Sequence, residues 1–322
     1  MCVALTVCTF PLIWVGGLVT TYEAGMAVPD WPNTYGYNLF LYPLETWLAG
    51  PWDLFIEHGH RLLGAAVGVL SIALVIVLWV SEGRAWVKWI AVGALVLVIF
   101  QGVLGGLRVI HDERRLGMFH GCVAPLFFSL CVALATFTSR RWMTSLPPCV
   151  SPHGARLTRL TGFLTLAAYV QLVLGARLRH FPPSSDQREF QLVLVFHLVM
   201  AAAIAVQTAG LAVVALRHER REPALLLPAM VLALLVALQL VLGASTWVTN
   251  YGPPAWLRGY AWTENYVVTA GGRWQTLSTT AHAALGSLIL VTALLLTLRS
   301  LRLHSSGLIL ALARMRATEV TL

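Results

Sequence analysis

Eight separate apolar runs constrain this chain more than any other feature, because each is close to the roughly 20 residues that a bilayer-spanning helix needs. They fall at about 3–21, 57–80, 86–107, 117–138, 160–177, 190–216, 225–248 and 276–298, the fifth being the shortest. In hydrocarbon only helices or closed barrels satisfy their own backbone, and runs this long without alternation predict helices. The expected fold class is therefore all-α: a polytopic integral membrane protein of eight transmembrane helices. Composition matters on one point only. With 58% hydrophobic and 11% charged residues over 322, the chain has no room for a sizeable aqueous domain.

Basic residues set the expected orientation. Arg84, Lys88, Arg140, Arg141, Arg156, Arg159, Arg217, Arg220, Arg221, Arg299, Arg302, Arg314 and Arg316, thirteen of the 22 Lys and Arg, lie in the even connections and the C-terminal tail. The first odd connection, Thr20 to Ile56, has none. By the positive-inside rule both termini are expected to be cytoplasmic and the odd loops to face out, and the inner (plasma) membrane is the expected location. The net charge of +8 then complements the lipid bilayer's cytoplasmic leaflet, and no basic, aromatic-interleaved soluble segment suggests a nucleic-acid partner. Without a positive n-region or an A-x-A site, the N-terminus reads as a retained first span, and it starts so near the bilayer that the true start is expected upstream. Cys2, Cys8, Cys122, Cys131 and Cys149 form no CxxC motif.

The spans repeat. The third carries "QGVLGG" from Gln101, the fifth and seventh "QLVLGA" from Gln171 and Gln239, and the first a looser "IWVGGL" from Ile13. Adjacent small residues let helices approach closely in lipid, so packing alone would account for them. The alternate spans each hold a histidine one to two turns below the outer end: His60, His120, His197 and His282. Each intramembrane imidazole costs free energy and needs a partner, so four at one depth predict ligation. They imply two copies of a four-helix unit, an N-terminal bundle at 1–138 and a C-terminal bundle at 160–298. A cytoplasmic linker (139–159) joins them and a cytoplasmic tail (299–322) follows.

Zinc and non-haem iron sites usually add cysteine or carboxylate ligands, and only Glu57 lies at this depth. Two axial imidazoles on a haem fit better, since that needs one histidine from each of two facing helices. Small residues at the next turn, Gly64, Ala124, Ala201 and Gly286, are expected to leave room for a porphyrin. At about 100° per residue, Glu57, His60, Arg61 and Gly64 share a face and His58 points roughly 200° away, so His60 is the expected ligand. His111, His153, His180, His218 and His304 are expected to be solvated or interfacial. Glu57 could cap its helix or pair with Arg61, yet the position three before His197 is Leu194, and that asymmetry implies different work at the two sites. Trp and Tyr residues of the first and last outer loops predict an aromatic belt or a roof over the haem edges. Arg61, Arg108, Arg177 and Arg273 are candidate propionate partners.

These residues resemble the haem A synthase family. "GGLVTTYEAGMAVPDWPNTYG" from Gly16 is similar to its first loop, "EHGHRLLGAAVG" to its Glu-x-x-His-Arg signature, "QGVLGGLRV" to its third helix and "MFHG" to its fourth-helix histidine. The resemblance implies an oxidoreductase of haem A biosynthesis that converts the ring methyl of haem O to a formyl group. It implies substrate haem O between His60 and His120 with Glu57 as the catalytic residue, and a resident haem b (iron protoporphyrin IX) between His197 and His282. Haem O synthase and a terminal oxidase would be partners. The chain departs from many members in having no cysteine between Thr9 and Gly121, so no electron path through a first-loop disulfide is expected. The competing expectations are a di-haem electron-transfer protein and a non-catalytic haem carrier in oxidase assembly.

Overall fold

The computed structural model describes residues 1–144, 152–181, 186–220, 222–257 and 259–304. The expectations that fall on Cys149, Arg221, Arg314, Arg316, the middle of the linker and the tail beyond His304 lie outside the described residues, as do those on the side chains of His153 and Trp262. Eight long helices are present, as the apolar runs predict, and no strand occurs among the described residues. They are α1 (Cys2–Thr21), α2 (Trp52–Ser81), α3 (Ala85–His111), α4 (Arg114–Phe137), α5 (Pro152–Arg179), α6 (Gln187–His218), α7 (Pro223–Tyr251) and α8 (Arg273–His304). All eight are long and apolar enough to cross a membrane.

Most helices outrun their apolar cores because polar residues extend and cap them. The side chains of Glu113, Asp186 and Glu222 accept hydrogen bonds from the first-turn amides of α4, α6 and α7, answering donors that no helical carbonyl can reach. Between α3 and α4, Asp112 takes a left-handed conformation (φ 45°), which lets two helices meet across a two-residue turn. The fifth span, shortest as an apolar run, becomes a 28-residue helix. Arginines at both of its ends are good helix formers, so the hydropathy pattern understates its length.

Packing follows chain order in two rings. In the first, α1 touches α2, α2 touches α3, α3 touches α4 and α4 returns to α1; α5, α6, α7 and α8 repeat this closure. The rings meet where α8 packs on α1 and α4, and α4 on α5. One apolar core gathers Leu5, Val67, Leu74, Val87, Phe127 and Leu134, and the other Leu164, Ile204, Leu211, Leu232, Ile289 and Leu296. Both cores begin about two turns beyond the histidine level. Side chains facing outward are also apolar: Val69, Ile72, Ile76 and Val80 on α2 and Leu234, Leu238 and Val241 on α7 are exposed. A surface that apolar is stable only against lipid.

Candidate functional site

Within each closed ring the histidine-bearing helices occupy opposite corners, α2 facing α4 and α6 facing α8. The His60 and His120 ring centres are 6.3 Å apart with their planes at 82°, and His197 and His282 are also 6.3 Å apart, at 63°. Each imidazole lies against a glycine of the preceding helix. A Cβ added at Gly16 would stand 2.7 Å from Cε1 of His60; at Gly105, Gly175 and Gly243 the distances to Cε1 of His120, His197 and His282 are 3.5, 3.3 and 3.1 Å. The small residues of the repeated motif are thus seats for the imidazoles as well as helix contacts. At the turn below, Gly286 does not leave the expected room, since Leu172 Cδ2 packs 2.9 Å from where its Cβ would be, whereas Gly64 meets only Leu12 Cδ1 at 4.0 Å.

Whether these residues suit a bis-imidazole metal centre is a question of spacing and donors. A metal about 2 Å from each coordinating nitrogen, with each ring centre about 1 Å further back, needs centres roughly 6 Å apart, and both pairs meet this. The ring nitrogens of His60, His197 and His282 without a close hydrogen-bond partner are Nδ1, turned toward the glycine of the neighbouring helix, so the fit to a metal is carried by the spacing and pairing of the imidazoles. No group of three or more His, Cys, Asp or Glu forms a metal-binding cluster among the described residues. The residues fit a haem at both places.

Around the first pair the opening turns of α2 hold the first loop. Glu57 is 3% exposed, and both of its oxygens are engaged: Oε1 accepts from Arg61 Nη2 (2.7 Å) and Oε2 from the Val28 amide (2.8 Å). Arg61 also donates to the carbonyls of Val28, Asp30 and Asn33 at 2.7 to 2.9 Å. Burial pushes the Asp30 carboxyl up, but the amides of Gly36 and Tyr35 outweigh it and hold the group below the usual carboxylate range. His58 is separated from His60 as the helical angle predicts. Its Nδ1 lies 3.0 Å from Thr34 Oγ1, and its ring packs on Trp47 and Tyr42. First-loop aromatics pack on one another and on the start of α2 as a cap, whereas Trp256 of the last loop and Trp274 at the start of α8 stand about four-fifths exposed, as in a belt.

The arginines expected at propionates are largely engaged elsewhere. Arg61 serves the loop, Arg108 donates to the Gly25 carbonyl, Arg177 pairs with Glu189, and Arg273 is exposed at the start of α8. Sequence reading missed Arg179. It crosses from α5 to α1, donating to the Gly17 carbonyl (2.7 Å) and to Thr21 Oγ1, and no carboxylate lies within ion-pair distance of it among the described residues. Thr21 continues the contact to Thr280, two residues before His282 (3.0 Å). Arg179 therefore stands between the two histidine pairs. Its sequence signal was weak, being one arginine among several at a helix end.

Two of the histidines expected to be solvated or interfacial are partly buried at helix ends. His180 packs near Gly117 of α4, and burial, reinforced by Arg179, Arg108 and Arg114, pushes it down to about 4. His304 lies 3.5 Å from Glu219 and against Gly154. His111 is exposed, as expected. Helix ends at ring junctions are covered by neighbouring helices, which spacing along one chain cannot reveal.

Fold and site together define a class: a multi-pass membrane protein with two paired-histidine centres at one end of its helices. Residues 51–182, which include His60 and His120, match the family model described as "Cytochrome oxidase assembly protein". Relatives named "Heme A synthase" include a protein of Geobacillus kaustophilus, 25% identical over 71% of this chain and 75% of its own length. Another, of Symbiobacterium thermophilum, is 32% identical over 41% of this chain and 46% of its own, and one of Shouchella clausii is 28% identical over 51% and 53%. This chain thus spans about half the length of the latter two. The family model and the relatives support the haem A synthase family, as the motifs suggested.

Proposed function

We propose that this chain is a haem A synthase, an enzyme and oxidoreductase that converts the ring methyl of haem O to a formyl group and so supplies haem A to a terminal oxidase. The observation that carries the reading is the equal 6.3 Å spacing of two histidine pairs, only one of which has a carboxylate within one turn of a histidine, Glu57 before His60. Substrate haem O belongs between His60 and His120, beside Glu57. Haem b would be held by His197 and His282 and would supply one-electron transfer there.

The residues of the first ring hold and polarise the substrate. His60 and His120 orient its plane. Glu57 and Arg61 tie the segment from Val28 to Asn33 over the site, which keeps water from the reacting edge. Because Glu57 is buried and held at both oxygens, its charge stays fixed where electron withdrawal from the methyl carbon leaves positive charge, and low dielectric strengthens that attraction. Proton acceptance is its second part in this reading. Arg179, a cation between the sites with no acidic partner among the described residues, is the best-placed propionate anchor. Both pairs lie at the same end of the helices, which argues against a conduit carrying electrons from one membrane face to the other. In this reading the chain lies in the inner membrane with cytoplasmic termini, the histidines near the outer face, and haem O synthase upstream.

The test is to express the chain in membranes supplied with haem O, then extract and separate the pigments. Haem A or its hydroxylated precursor is expected, and Glu57→Gln should retain bound haem while losing most conversion. Extracts holding only haem O and haem b would leave a carrier or electron-transfer protein instead.

A further inference from the structure

Three of the four glycine seats come with a glutamine one turn earlier, and the fourth does not. Gln101 precedes Gly105, Gln171 precedes Gly175 and Gln239 precedes Gly243, each by four residues, whereas Leu12 holds that position before Gly16. Each glutamine reaches the histidine of the next helix. Gln101 Nε2 donates to the main-chain oxygen of His120 (3.1 Å), and His120 Nδ1 lies 3.1 Å from the main-chain oxygen of Gln101. Gln239 Nε2 donates to the main-chain oxygen of His282 (3.0 Å). Gln171 Nε2 lies 3.2 Å from the ring Nε2 of His197. Leu12 has no side-chain amide to offer: its main-chain carbonyl faces His60, as that of Gln101 faces His120, while its side chain packs with the apolar core of the first ring.

We propose that Gln101, Gln171 and Gln239 are positioning residues that add a side-chain tie to three of the four paired histidines, and that Leu12, offering His60 a main-chain carbonyl alone, leaves it the least firmly held and the one through which porphyrin enters and leaves the substrate site. The inference rests on reading the pairs as axial haem ligands. An amide tie between neighbouring helices fixes the height and rotation of the one that bears the imidazole. In a bilayer no water competes for that tie. The distribution of ties matches the demands on the two sites: the second ring, which must keep its haem, has a glutamine for both histidines. The first ring, which must release its product, has one for His120 and none for His60. Ligands of a metal are held by such outer partners, and losing one typically weakens retention by about tenfold to a hundredfold.

The experiment follows transfer of haem b from the purified full-length protein to apomyoglobin, alongside the low-spin electron paramagnetic resonance signal of each site. The wild-type protein should lose haem in a fast phase, from the first ring, and a slow phase, from the second. Leu12→Gln is expected to slow the fast phase by about tenfold, and Gln239→Met to hasten the slow phase by about tenfold while shifting only that site's signal. Unchanged rates in both variants, with normal low-spin signals, would overturn the inference. If Leu12→Gln does not fold, Gln239→Met and Gln101→Met decide it alone, since faster loss from only the altered site supports the locks and unchanged loss removes them. A wild-type protein with no bis-imidazole signal would instead remove the reading of the pairs.

Discussion

Gly16 and Gly105 seat equivalent imidazoles with different clearance, and that difference makes an ordering testable at single residues. A methyl at Gly16 would meet His60 Cε1 at 2.7 Å, below any ordinary contact, whereas at Gly105 it would meet His120 at 3.5 Å, a normal one. Gly16→Ala should therefore cost about 1–3 kcal/mol of overpacking and displace His60, removing the low-spin signal of the first site alone. Gly105→Ala should retain both signals, and haem-to-protein ratios with absorption spectra distinguish the two outcomes. Residue identity was partly legible in advance: the helical angle separates His60 from His58, and the structure agrees. The glutamine ties were not, because Gln101, Gln171 and Gln239 stood in a motif that packing alone explained. Only the neighbouring helix shows what each amide reaches.

Helix boundaries follow from local chemistry once polar ends are counted with the apolar middle. The α2–α3 connection shows it: Glu82 Oε2 takes a 2.7 Å bond from Arg84 Nη2, and Oε1 accepts from Arg84 Nε and its amide, closing the turn. These bonds, the side-chain one above all, outweigh burial and hold the Glu82 carboxyl down at about 2. A carboxylate depressed in the folded state contributes stability that is complete above its ordinary value near 4.5 and lost as pH falls toward about 2. Glu82→Gln should accordingly lower the melting temperature in detergent at pH 7, with the gap to wild type narrowing between pH 4.5 and 2; a gap that widened there would refute this role. His180 titrates in the same direction for a different cause. Its neutral form is favoured by burial and by nearby arginines, so acidification from its ordinary 6.5 toward about 4 weakens the junction of α4 and α5.

Across the whole molecule, the seam between the rings turns eight helices into one arrangement. Arg179 bridges α5 to α1, and Thr21 carries the contact on to Thr280 of α8. A fixed positive charge between the pairs favours the electron-rich, reduced form of any haem beside it. Arg179→Met should lower the midpoint potential of the bound haem by tens of millivolts in a potentiometric titration, and an unshifted potential would leave Arg179 as a structural tie. The apolar runs alone determined that the chain is helical and crosses a membrane eight times, because hydrocarbon leaves the backbone no cheaper solution. Spacing alone also determined which four histidines share one depth, since helical rise is fixed per residue. Tertiary structure decided which of them face each other and on what glycines they rest. It alone also bound Glu57 and Arg61 to the first loop and brought Arg179 between the pairs. Those are contacts between segments far apart in the chain, and their energies depend on helix rotation and neighbour choice, which no local pattern encodes.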